Sequence, residues 1–543
     1  MKSLAMFEMT KNIRMAKKHT MDNYKLYKCL VMGFGLSSSA LSQESNQRMN
    51  ILFVMTDDHA FQALSAYGHP ISKLAPTPNL DRIANNGMLF RKAFVENSIS
   101  TPSRATLLTG MYSHQHGQTH LGYGLKPDVK FFTEYLQQAG YQTAIFGKWH
   151  LAADPKGFDT YKIFEDQGEY YNPGFKTPET NGQYIPEEGY ATDLTTNAAL
   201  EWLVYRDKNK PFCLMVHHKA PHRNWMPDLQ YLDLYENIEF PEPETLFDDY
   251  RTRGEQMKTQ ELTVANHLGY AFDLKVAQLQ NEPALDYIKN SFYIAINSMN
   301  DKQLRVWNES YDRNNKEFLA NKPEGKTLVQ WKYQRYIKDY CRTIKSVDVQ
   351  VGRLLDYLEN NGLMDNTLIV YTSDQGFFLG EHGLYDKRFM YEESFRTPLM
   401  IAYPGAKRGI VCEKLVQNID YAPTFLDAAG IQVPEGMAGK SLLPLLKQEK
   451  VQWRDHLYYH FYDYPSVGMV RKHDGVSDGR YKLIHWYGKG YQGDEDIDYW
   501  ELYDLKKDPV EIKNVYNKPE YKKIRERLHK LLSNHRLELK IKE

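Results

Sequence analysis

The stretch Asn50-Ile51-Leu52-Phe53-Val54-Met55-Thr56-Asp57-Asp58 decides the fold class of this chain. Residues 51–55 form a continuous apolar run, which is typical of a strand buried on both faces in a parallel sheet. Two carboxylates follow the run directly. In sheets of this kind ligands collect at the carboxyl ends of the strands, so the polar end of this stretch indicates where the chemistry lies.

Three further apolar runs have the same form, and each ends in polar, charged or imidazole residues. They cover residues 143–146, 211–216 and 367–372, and are followed by Gly147-Lys148-Trp149-His150, His217-His218 and Ser373-Asp374-Gln375-Gly376. Helical patterns are predicted over residues 79–86, 131–139, 193–205 and 329–361. This alternation predicts an α/β domain with a mainly parallel sheet between helices.

The rest of the chain predicts additions to that sheet. Residues from about 228 to 326 lack strand signals and carry apolar residues at helix-like intervals, which predicts a helical insertion. Short strands are predicted over residues 457–464, 468–471, 481–487 and 500–505, with a final helix over 520–539. We therefore expect a catalytic domain over residues 49–447 and a smaller C-terminal subdomain over 448–543, with an antiparallel sheet and a helix.

The charge balance excludes a global electrostatic field. The 543 residues carry 68 basic and 69 acidic side chains, so no nucleic-acid partner is expected and an anionic substrate must be bound locally. Beyond residue 42 the cysteines are Cys213, Cys341 and Cys412. Their wide spacing predicts neither a disulfide framework nor a zinc site.

Residues 1–42 are similar to a secretory signal peptide. Lys25 and Lys28 precede an apolar run over residues 29–36, and small residues end in Ala40-Leu41-Ser42. The run is shorter than the about 20 residues of a membrane span, so no span is expected and export to a periplasm-like space is predicted. The alternative is an N-terminus that is never cleaved.

The stretch Ser100-Thr101-Pro102-Ser103-Arg104 places a small hydroxyl just ahead of a predicted helix, with Pro102 at its first position and Gly110 at its end. Free N–H groups and the helix dipole favour an anion at that end. Arg104 adds a planar cation that pairs with oxyanions. By itself the stretch fits a catalytic turn and an ordinary capped helix equally well.

Oxygen-bearing side chains follow two of the predicted strands. Asp57 and Asp58 follow the first strand, and Asp374 and Gln375 follow the strand over residues 367–372. Hard cations such as calcium prefer carboxylate and amide oxygens as ligands. These four residues are therefore a candidate calcium site, and the alternative for each pair is a solvated turn.

Cations and imidazoles accompany these oxygens. Lys148 and His150 lie two residues apart, so in an extended segment both face the same way. His222 supplies a second imidazole and Lys387 a second ammonium. A lone His or Lys is more often structural or solvated, but the whole set beside a candidate nucleophile indicates an active site.

Seven motifs resemble, in chain order, those of the type I sulfatases: Thr56-Asp57-Asp58, Thr77-Pro78-Asn79-Leu80-Asp81, the run from Ser100 to Gly110, Gly147-Lys148-Trp149-His150, Ala220-Pro221-His222, Ser373-Asp374-Gln375-Gly376 and Gly383-Leu384-Tyr385-Asp386-Lys387. The resemblance runs from about Ile51 to Pro509. It implies an alkaline-phosphatase-like core and a residue at position 100 that is oxidised to formylglycine. A Ser at that position resembles the form matured by an anaerobic radical iron–sulfur enzyme.

The resemblance also implies roles for the site residues. One oxygen of the hydrated formylglycine would attack sulfur, and the other would later expel sulfate. The resemblance implies that calcium is bound by four residues: Asp57, Asp58, Asp374 and Gln375. Arg104 and Lys148 would stabilise the diol, and His150 would take its proton. Lys387 and His222 would bind the sulfate. His222, with His218 in reserve, would protonate the departing sugar oxygen. Gln375 departs from the family pattern, since many relatives carry Asn there.

The element His218-Lys219-Ala220-Pro221-His222-Arg223-Asn224-Trp225 is similar to that of sulfatases acting on N-acetylglucosamine 6-O-sulfate in heparan-type glycosaminoglycans. It makes His218 and Arg223 candidate substrate contacts, and Trp225 either a sugar-stacking residue or a buried one. Residues 471–474, including His473, are predicted as a loop that either helps select the sugar or is a solvated turn.

The resulting expectation is an exported sulfatase that removes 6-O-sulfate from glucosamine units of sulfated glycosaminoglycan oligosaccharides. The alternatives are another glycan sulfatase, a phosphodiesterase or phosphonate hydrolase of the same superfamily, and a glycan-binding protein without chemistry.

Overall fold

A computed structural model describes residues 48–122, 124–282 and 286–541. The predictions for residues 1–42 lie outside the described residues. The strands are β1 Asn50–Thr56, β2 Met88–Phe90, β3 Ala93–Phe94, β4 Gln142–Gly147, β5 Thr160–Phe164, β6 Gly174–Lys176, β7 Ile185–Pro186, β8 Phe212–His217, β9 Thr367–Ser373, β10 Phe378–Leu379, β11 Tyr385–Asp386, β12 Leu399–Ala402, β13 Ile410–Cys412, β14 Val416–Gln417, β15 Leu457–Phe461, β16 His473–Ser477, β17 Tyr481–Gly488 and β18 Ile497–Asp504.

The helices surround these strands. They are α1 Pro70–Leu74, α2 Pro78–Asn85, α3 Ser100–Thr109, α4 Ser113–His116, α5 Phe132–Gln138, α6 Ala191–Tyr205, α7 Gln256–Thr259, α8 Asp286–Asn297, α9 Asp301–Ala320, α10 Gly325–Asn360, α11 Glu392–Phe395, α12 Tyr421–Ala428, α13 Leu443–Leu446 and α14 Lys522–Glu538. Within the described ranges, none of these helices has both the length and the apolar character needed to cross a membrane.

A ten-stranded sheet forms the centre, in the order β13-β2-β12-β9-β1-β8-β4-β5-β6-β7. The five strands β9-β1-β8-β4-β5 run parallel. Thr56 lies opposite Ser373, and Gly147 lies opposite His217, so the ends of the four predicted strands meet at one edge. The predicted α/β fold with a mainly parallel sheet is confirmed.

Strand β1 shows why its sequence is apolar throughout. Ile51, Phe53 and Met55 pack on one face of the sheet with residues of α3, α5 and α12. Leu52 and Val54 pack on the other face with residues of α2, α6 and α10. Because both faces are covered, a polar side chain inside this strand would lose its hydration without a partner.

A second sheet follows near the C-terminus. Its four strands are antiparallel in the order β15-β16-β17-β18. Leu528 and Leu532 of α14 pack on this sheet against Val476, Leu483 and Leu502. The predicted antiparallel sheet with a helix is confirmed, but one strand was misplaced. Residues 468–471 are a loop, since Gly468 and Met469 have φ of 84° and 49°, and the strand begins at His473.

The predicted helical insertion over residues 228–326 is only half helical. Helices α8 and α9 lie in its second part, whereas residues 228–282 contain only single turns such as α7. Pro241 and Pro243 lack the N–H that a helix interior needs. Phe240, Leu246 and Leu262 of this irregular segment are buried in the same cluster as Tyr336 of α10, so its order comes from packing.

Candidate active site

Ser100 lies in the first turn of α3, at the edge where the strands end. The helix begins at Ser100 rather than at Pro102 as predicted, and its ten residues are all buried. Its Oγ donates to Asp57 Oδ1 over 3.1 Å and accepts from Gln375 Nε2 at 3.4 Å. At the other end Gly110 adopts φ of 65° and terminates the helix as predicted. The hydroxyl is thus fixed beside the acidic residues.

The four oxygen-bearing residues converge on Ser100. Asp57 and Asp58 follow β1, and Asp374 and Gln375 follow the adjacent parallel strand β9. Gln375 Nε2 lies 2.5 Å from Asp58 Oδ1 and 2.8 Å from Asp374 Oδ1. All four residues are at most 1% exposed. Buried carboxylates this close together require compensating positive charge.

Three cations supply part of that charge. Arg104 Nε donates to Asp374 Oδ2 over 3.0 Å, and Lys387 Nζ donates to Asp58 Oδ2 over 2.6 Å. Lys148 Nζ donates to Asp57 Oδ2. Each carboxylate therefore has its own basic partner inside the protein, which is the condition under which buried charges are tolerated.

A close backbone approach positions Lys148. Its N–H donates to the carbonyl of His217 over 2.8 Å. At Gly147, just before it, a Cβ would lie 2.1 Å from that same carbonyl, so only glycine fits. His150 has φ of 55°, so the segment is not extended as predicted. Both side chains nevertheless reach one residue, Gln167. Lys148 Nζ contacts Gln167 Oε1, and His150 Nε2 lies 2.9 Å from Gln167 Nε2.

The titratable groups are strongly perturbed. Burial raises the pKa of Asp58 to about 6, although Lys387 opposes the shift. Burial, and then neighbouring cations including Lys148 and Lys387, holds the pKa of His150 and His222 well below the usual value. Both imidazoles are therefore neutral near pH 7.

His222 faces the acidic residues. Its Nδ1 lies 2.7 Å from the carbonyl oxygen of Arg223 and donates to it, because a carbonyl only accepts. The other nitrogen, Nε2, lies 3.7 Å from Asp58 Oδ2. His222 thus presents Nε2 to the site. Asp57, Asp58 and His222 also offer atoms within 4.8 Å of one another, which is close enough to share a metal ion.

The residues predicted to contact the substrate are buried or paired with other residues of the protein. His218 is buried, and within the described part of the chain neither ring nitrogen has a hydrogen-bond partner. Arg223 pairs with Asp273 through Nη2 over 2.6 Å. Trp225 is 0% exposed and packs on Tyr336, which supports its buried alternative and leaves no face for a sugar.

The predicted loop over residues 471–474 was wrong for His473 and Asp474, which lie in a strand. His473 is the first residue of β16, is 0% exposed, and stacks on Trp486 with ring centroids 4.0 Å apart. Asp474 lies in the same strand and pairs with Arg536 over 2.6 Å. Neither side chain is free to select a sugar in this arrangement.

Two features at the site were not predicted. Gln167 lies between β5 and β6 in a segment without any motif, and no local pattern marks it. A cavity of about 190 Å³ opens beside His150, with Thr101, Asp166, Lys176 and Tyr184 in its lining. The lining includes His150 and Thr101 but not Ser100 itself.

A buried hydroxyl at a helix N-terminus, surrounded by carboxylates, cations and neutral imidazoles, defines a site for oxyanion chemistry on an alkaline-phosphatase-like fold. The chain matches the family described as Sulfatase over residues 49–431, and the family described as N-sulphoglucosamine sulphohydrolase, C-terminal, over residues 380–538. It therefore belongs to the sulfatase family and is a sulfatase.

Known proteins agree with this assignment. An N-acetylglucosamine-6-O-sulfatase of Bacteroides thetaiotaomicron is 47% identical over 505 residues, which is 92% of this chain and 88% of that protein. The structure of BT4656 in complex with its substrate D-glucosamine-2-N,6-O-disulfate has a TM-score of 0.85 at 45% identity and covers 91% of this chain and 98% of that one. A phosphonate monoester hydrolase from Silicibacter pomeroyi, with a TM-score of 0.64 at 21% identity over 90% of this chain and 96% of that one, shares the fold.

Proposed function

We propose that this sulfatase hydrolyses 6-O-sulfate esters of N-acetylglucosamine in heparan-type glycosaminoglycan fragments, using a formylglycine made from Ser100 and a calcium ion. The observation that carries the proposal is the contact of Ser100 Oγ with Asp57 and Gln375, inside a buried set of three carboxylates and three cations. The name of the 47% identical relative and the glucosamine disulfate bound to BT4656 support the sugar and the position.

The acidic residues fit a calcium ion. Gln375 Oε1 is buried without a hydrogen-bond partner among the described residues, while Nε2 of the same amide points at two carboxylates. Rotating the amide by half a turn would bring Oε1 to those carboxylates, where it would be a suitable ligand for an oxygen-binding cation. Asp57, Asp58, Asp374 and Gln375 would hold the ion, which would supply Lewis-acid stabilisation of a sulfate oxygen.

Formylglycine would supply a hydrated aldehyde whose one oxygen attacks sulfur and whose other oxygen allows sulfate to leave. The protein's own residues stabilise and orient the reacting groups. Arg104 and Lys148 place positive charge on the side of residue 100, and Lys387 places it beside Asp58. Preorganised cations in a buried site stabilise the charge that develops on the sulfate oxygens.

His222 is the proposed proton donor to the departing sugar oxygen. The hydrogen bond from Nδ1 to the Arg223 carbonyl fixes the ring and leaves Nε2 unprotonated in the neutral form. His222 must therefore take up a proton at Nε2 before it can transfer that proton to the leaving group. His218 has no comparable contact, because both its ring nitrogens lack hydrogen-bond partners in the described ranges. This difference supports His222 over His218 in that role.

Export and maturation belong to the same proposal. The basic and apolar pattern of residues 1–42 supports export to a periplasm-like compartment. Ser rather than Cys at position 100 supports an anaerobic radical iron–sulfur enzyme as the maturation partner.

The decisive experiment combines mass spectrometry with turnover. Protein produced with such a maturation enzyme is digested, and the Ser100 peptide is expected to have lost two hydrogens. The same sample is expected to release sulfate from N-acetylglucosamine 6-sulfate and from 6-O-sulfated heparan fragments, whereas Ser100→Ala releases none.

Control substrates separate the alternatives. Release of sulfate from 2-O-sulfated sugars alone would show that the enzyme acts at the 2-O position instead of the 6-O position. Faster hydrolysis of an aryl phosphate diester than of an aryl sulfate would favour a phosphodiesterase. Tight glycan binding that survives in Ser100→Ala, with no turnover by modified protein, would indicate a binding protein instead.

A further inference from the structure

We propose that Gln167 is a positioning residue of this site, because its side-chain amide holds Lys148 and at the same time fixes the tautomer of His150. In that tautomer the ring proton of His150 lies on Nδ1. The consequence for catalysis rests on the proposed function, whereas the contacts themselves do not.

The Gln167 amide has a defined direction. Lys148 Nζ contacts the Asp57 carboxylate and Gln167 Oε1, and it donates to both, because neither oxygen carries a hydrogen. A lysine nitrogen has enough hydrogens for these two contacts whether charged or neutral. The carbonyl oxygen of Gln167 is therefore directed to Lys148, and the amide nitrogen points away from it.

The contact with Gln167 also defines the tautomer of the His150 ring. Gln167 Nε2 lies 2.9 Å from His150 Nε2. An amide nitrogen only donates, so His150 Nε2 must accept. A neutral imidazole that accepts at Nε2 carries its proton on Nδ1. Since the pKa of His150 is held well below its usual value by burial, the neutral ring is the relevant form.

The His150 ring lies among cations and beside one carboxylate. The cations that face it are Lys148, Arg104, Lys387 and Lys219, and the nearest carboxylate is that of Asp166, whose Oδ1 lies 3.5 Å from Nε2. Asp166 is 76% exposed and so is well hydrated. His150 Nδ1 is buried and has no hydrogen-bond partner in the part of the chain that the structure describes. Its N–H is therefore available to an oxygen of a bound group.

This arrangement refines the role of His150. With Gln167 in place, His150 first acts as a hydrogen-bond donor through Nδ1. For Nδ1 to accept a proton instead, the ring proton must move to Nε2 and the Gln167 amide must turn, which would also move Oε1 away from Lys148. Gln167 thus couples the positions of the two residues.

The tautomer is directly measurable. Protein in the Ser100 form is labelled with ¹⁵N in its histidine rings, and His150→Gln identifies the His150 signals. We expect the wild type to carry its proton on Nδ1. Gln167→Glu keeps an acceptor for Lys148 but offers only acceptor oxygens to His150 Nε2, so the proton is expected to move to Nε2. Gln183→Glu, at an exposed position on a neighbouring loop, is the matched control and should leave the signals unchanged. A wild-type ring protonated on Nε2, or no change in Gln167→Glu, would overturn the proposal.

Kinetics of the modified enzyme test the catalytic consequence. Gln167→Ala is expected to lower kcat by about 10- to 100-fold with little change in KM, in keeping with the usual effect of removing an orienting partner. Gln167→Asn keeps the donor and acceptor on a shorter arm and should recover part of the loss. An increase in KM at unchanged kcat would instead make Gln167 a substrate contact. If the wild type turns over no sulfated sugar while the tautomer result holds, the proposed function fails and the positioning contact stands.

Discussion

At the scale of single residues, the site depends on charges that compensate one another inside the protein. Lys148 pairs with Asp57, Lys387 with Asp58 and Arg104 with Asp374. Removing one partner of a buried pair leaves an uncompensated charge, which costs about 3–5 kcal/mol in folding free energy. Replacements of these residues therefore change stability as well as activity, and conservative replacements of uncharged neighbours are more informative.

Gln375 is such a neighbour, and it tests the proposed calcium site. A ligand that binds only the folded state raises stability by about 2.7 kcal/mol at 100 times its Kd. We expect calcium to raise the Tm of the wild type and of Gln375→Asn above the value in chelator. Gln375→Leu, which lacks the side-chain oxygen, should show a much smaller rise. Equal melting of the wild type with calcium and with chelator would contradict the site.

The buried carboxyl group of Glu96 is expected to make the free energy of unfolding depend on pH. Burial raises its pKa from 4.5 to about 7, even though Ser113 and Thr106 donate to the carboxyl group. Because the folded state holds the proton more tightly than the unfolded chain, this contribution is fully present below pH 4.5 and is lost as the pH rises to about 7. The loss is at most about 3.5 kcal/mol, since each pKa unit corresponds to about 1.4 kcal/mol.

The variant Glu96→Gln imitates the protonated form and should remove this dependence. We measure the free energy of unfolding in urea from about pH 5 to about pH 8. This free energy is expected to change less with pH in Glu96→Gln than in the wild type. Glu239→Gln, at an exposed position, is the control and should follow the wild type. Parallel curves for Glu96→Gln and the wild type would show that Glu96 is charged in the fold.

At the scale of secondary structure, helix α3 carries Ser100, the candidate nucleophile, and is positioned from both ends. Its first turn is tied to the strand ends through Ser100 and Arg104. At its C-terminus the Gly110 N–H donates to the Thr106 carbonyl over 2.8 Å, and the Gly110 carbonyl accepts from Ala438 at 2.8 Å. We expect a displacement at this end to be transmitted along the helix to Ser100.

Replacement of Gly110 tests this transmission. Gly110→Ala places a side chain at φ of 65° and 3.2 Å from atoms of Met437 and Pro423. The left-handed conformation alone costs about 1–2 kcal/mol. Gly68→Ala has a similar φ of 73° but meets nothing within 4 Å, so it reports the conformational cost without crowding. We expect both variants to lose stability in urea unfolding and only Gly110→Ala to lose kcat. An unchanged kcat in Gly110→Ala would show that the helix end does not influence the nucleophile.

At the scale of the whole molecule, the C-terminal sheet supports the segment that follows Lys387. Lys482 of β17 lies 2.9 Å from Glu392 of α11 and 2.7 Å from Glu511. The Tyr391 hydroxyl donates to Glu501 of β18 over 3.0 Å. These buried contacts tie the chain between residues 387 and 392 to the second sheet, so the position of the Lys387 ammonium depends on both sheets.

The completed fold also limits when the proposed modification of Ser100 can occur. Ser100 is 2% exposed and every residue of α3 is buried, so a second enzyme cannot reach the side chain without unfolding this region. We expect the maturation enzyme to convert a synthetic peptide over residues 95–115, or the nascent chain, but not the folded Ser100 protein. Mass spectrometry of the Ser100 peptide after incubation measures the conversion, and urea-unfolded protein is the control. Equal conversion of the folded protein and the peptide would contradict this order of events.

The central fold was predictable from the sequence because its signals are local. A continuous apolar run such as residues 51–55 is compatible with a strand covered on both faces, and the carboxyl ends of adjacent parallel strands share an edge. Asp57, Asp58, Asp374 and Gln375 therefore converge as predicted.

Other features were decided only by tertiary structure. Gln167 acquires its position because Lys148 and His150 reach it from another strand end, and no pattern around residue 167 encodes that contact. The sequence left Trp225 as either a sugar-stacking or a buried residue and placed His473 in a loop. Aromatic partners bury both side chains, Tyr336 in the first case and Trp486 in the second. Residues 228–282 are ordered by packing rather than by their own helix propensity. Local hydrophobic patterning determines the strands, whereas contacts between distant segments determine which polar side chains face the site.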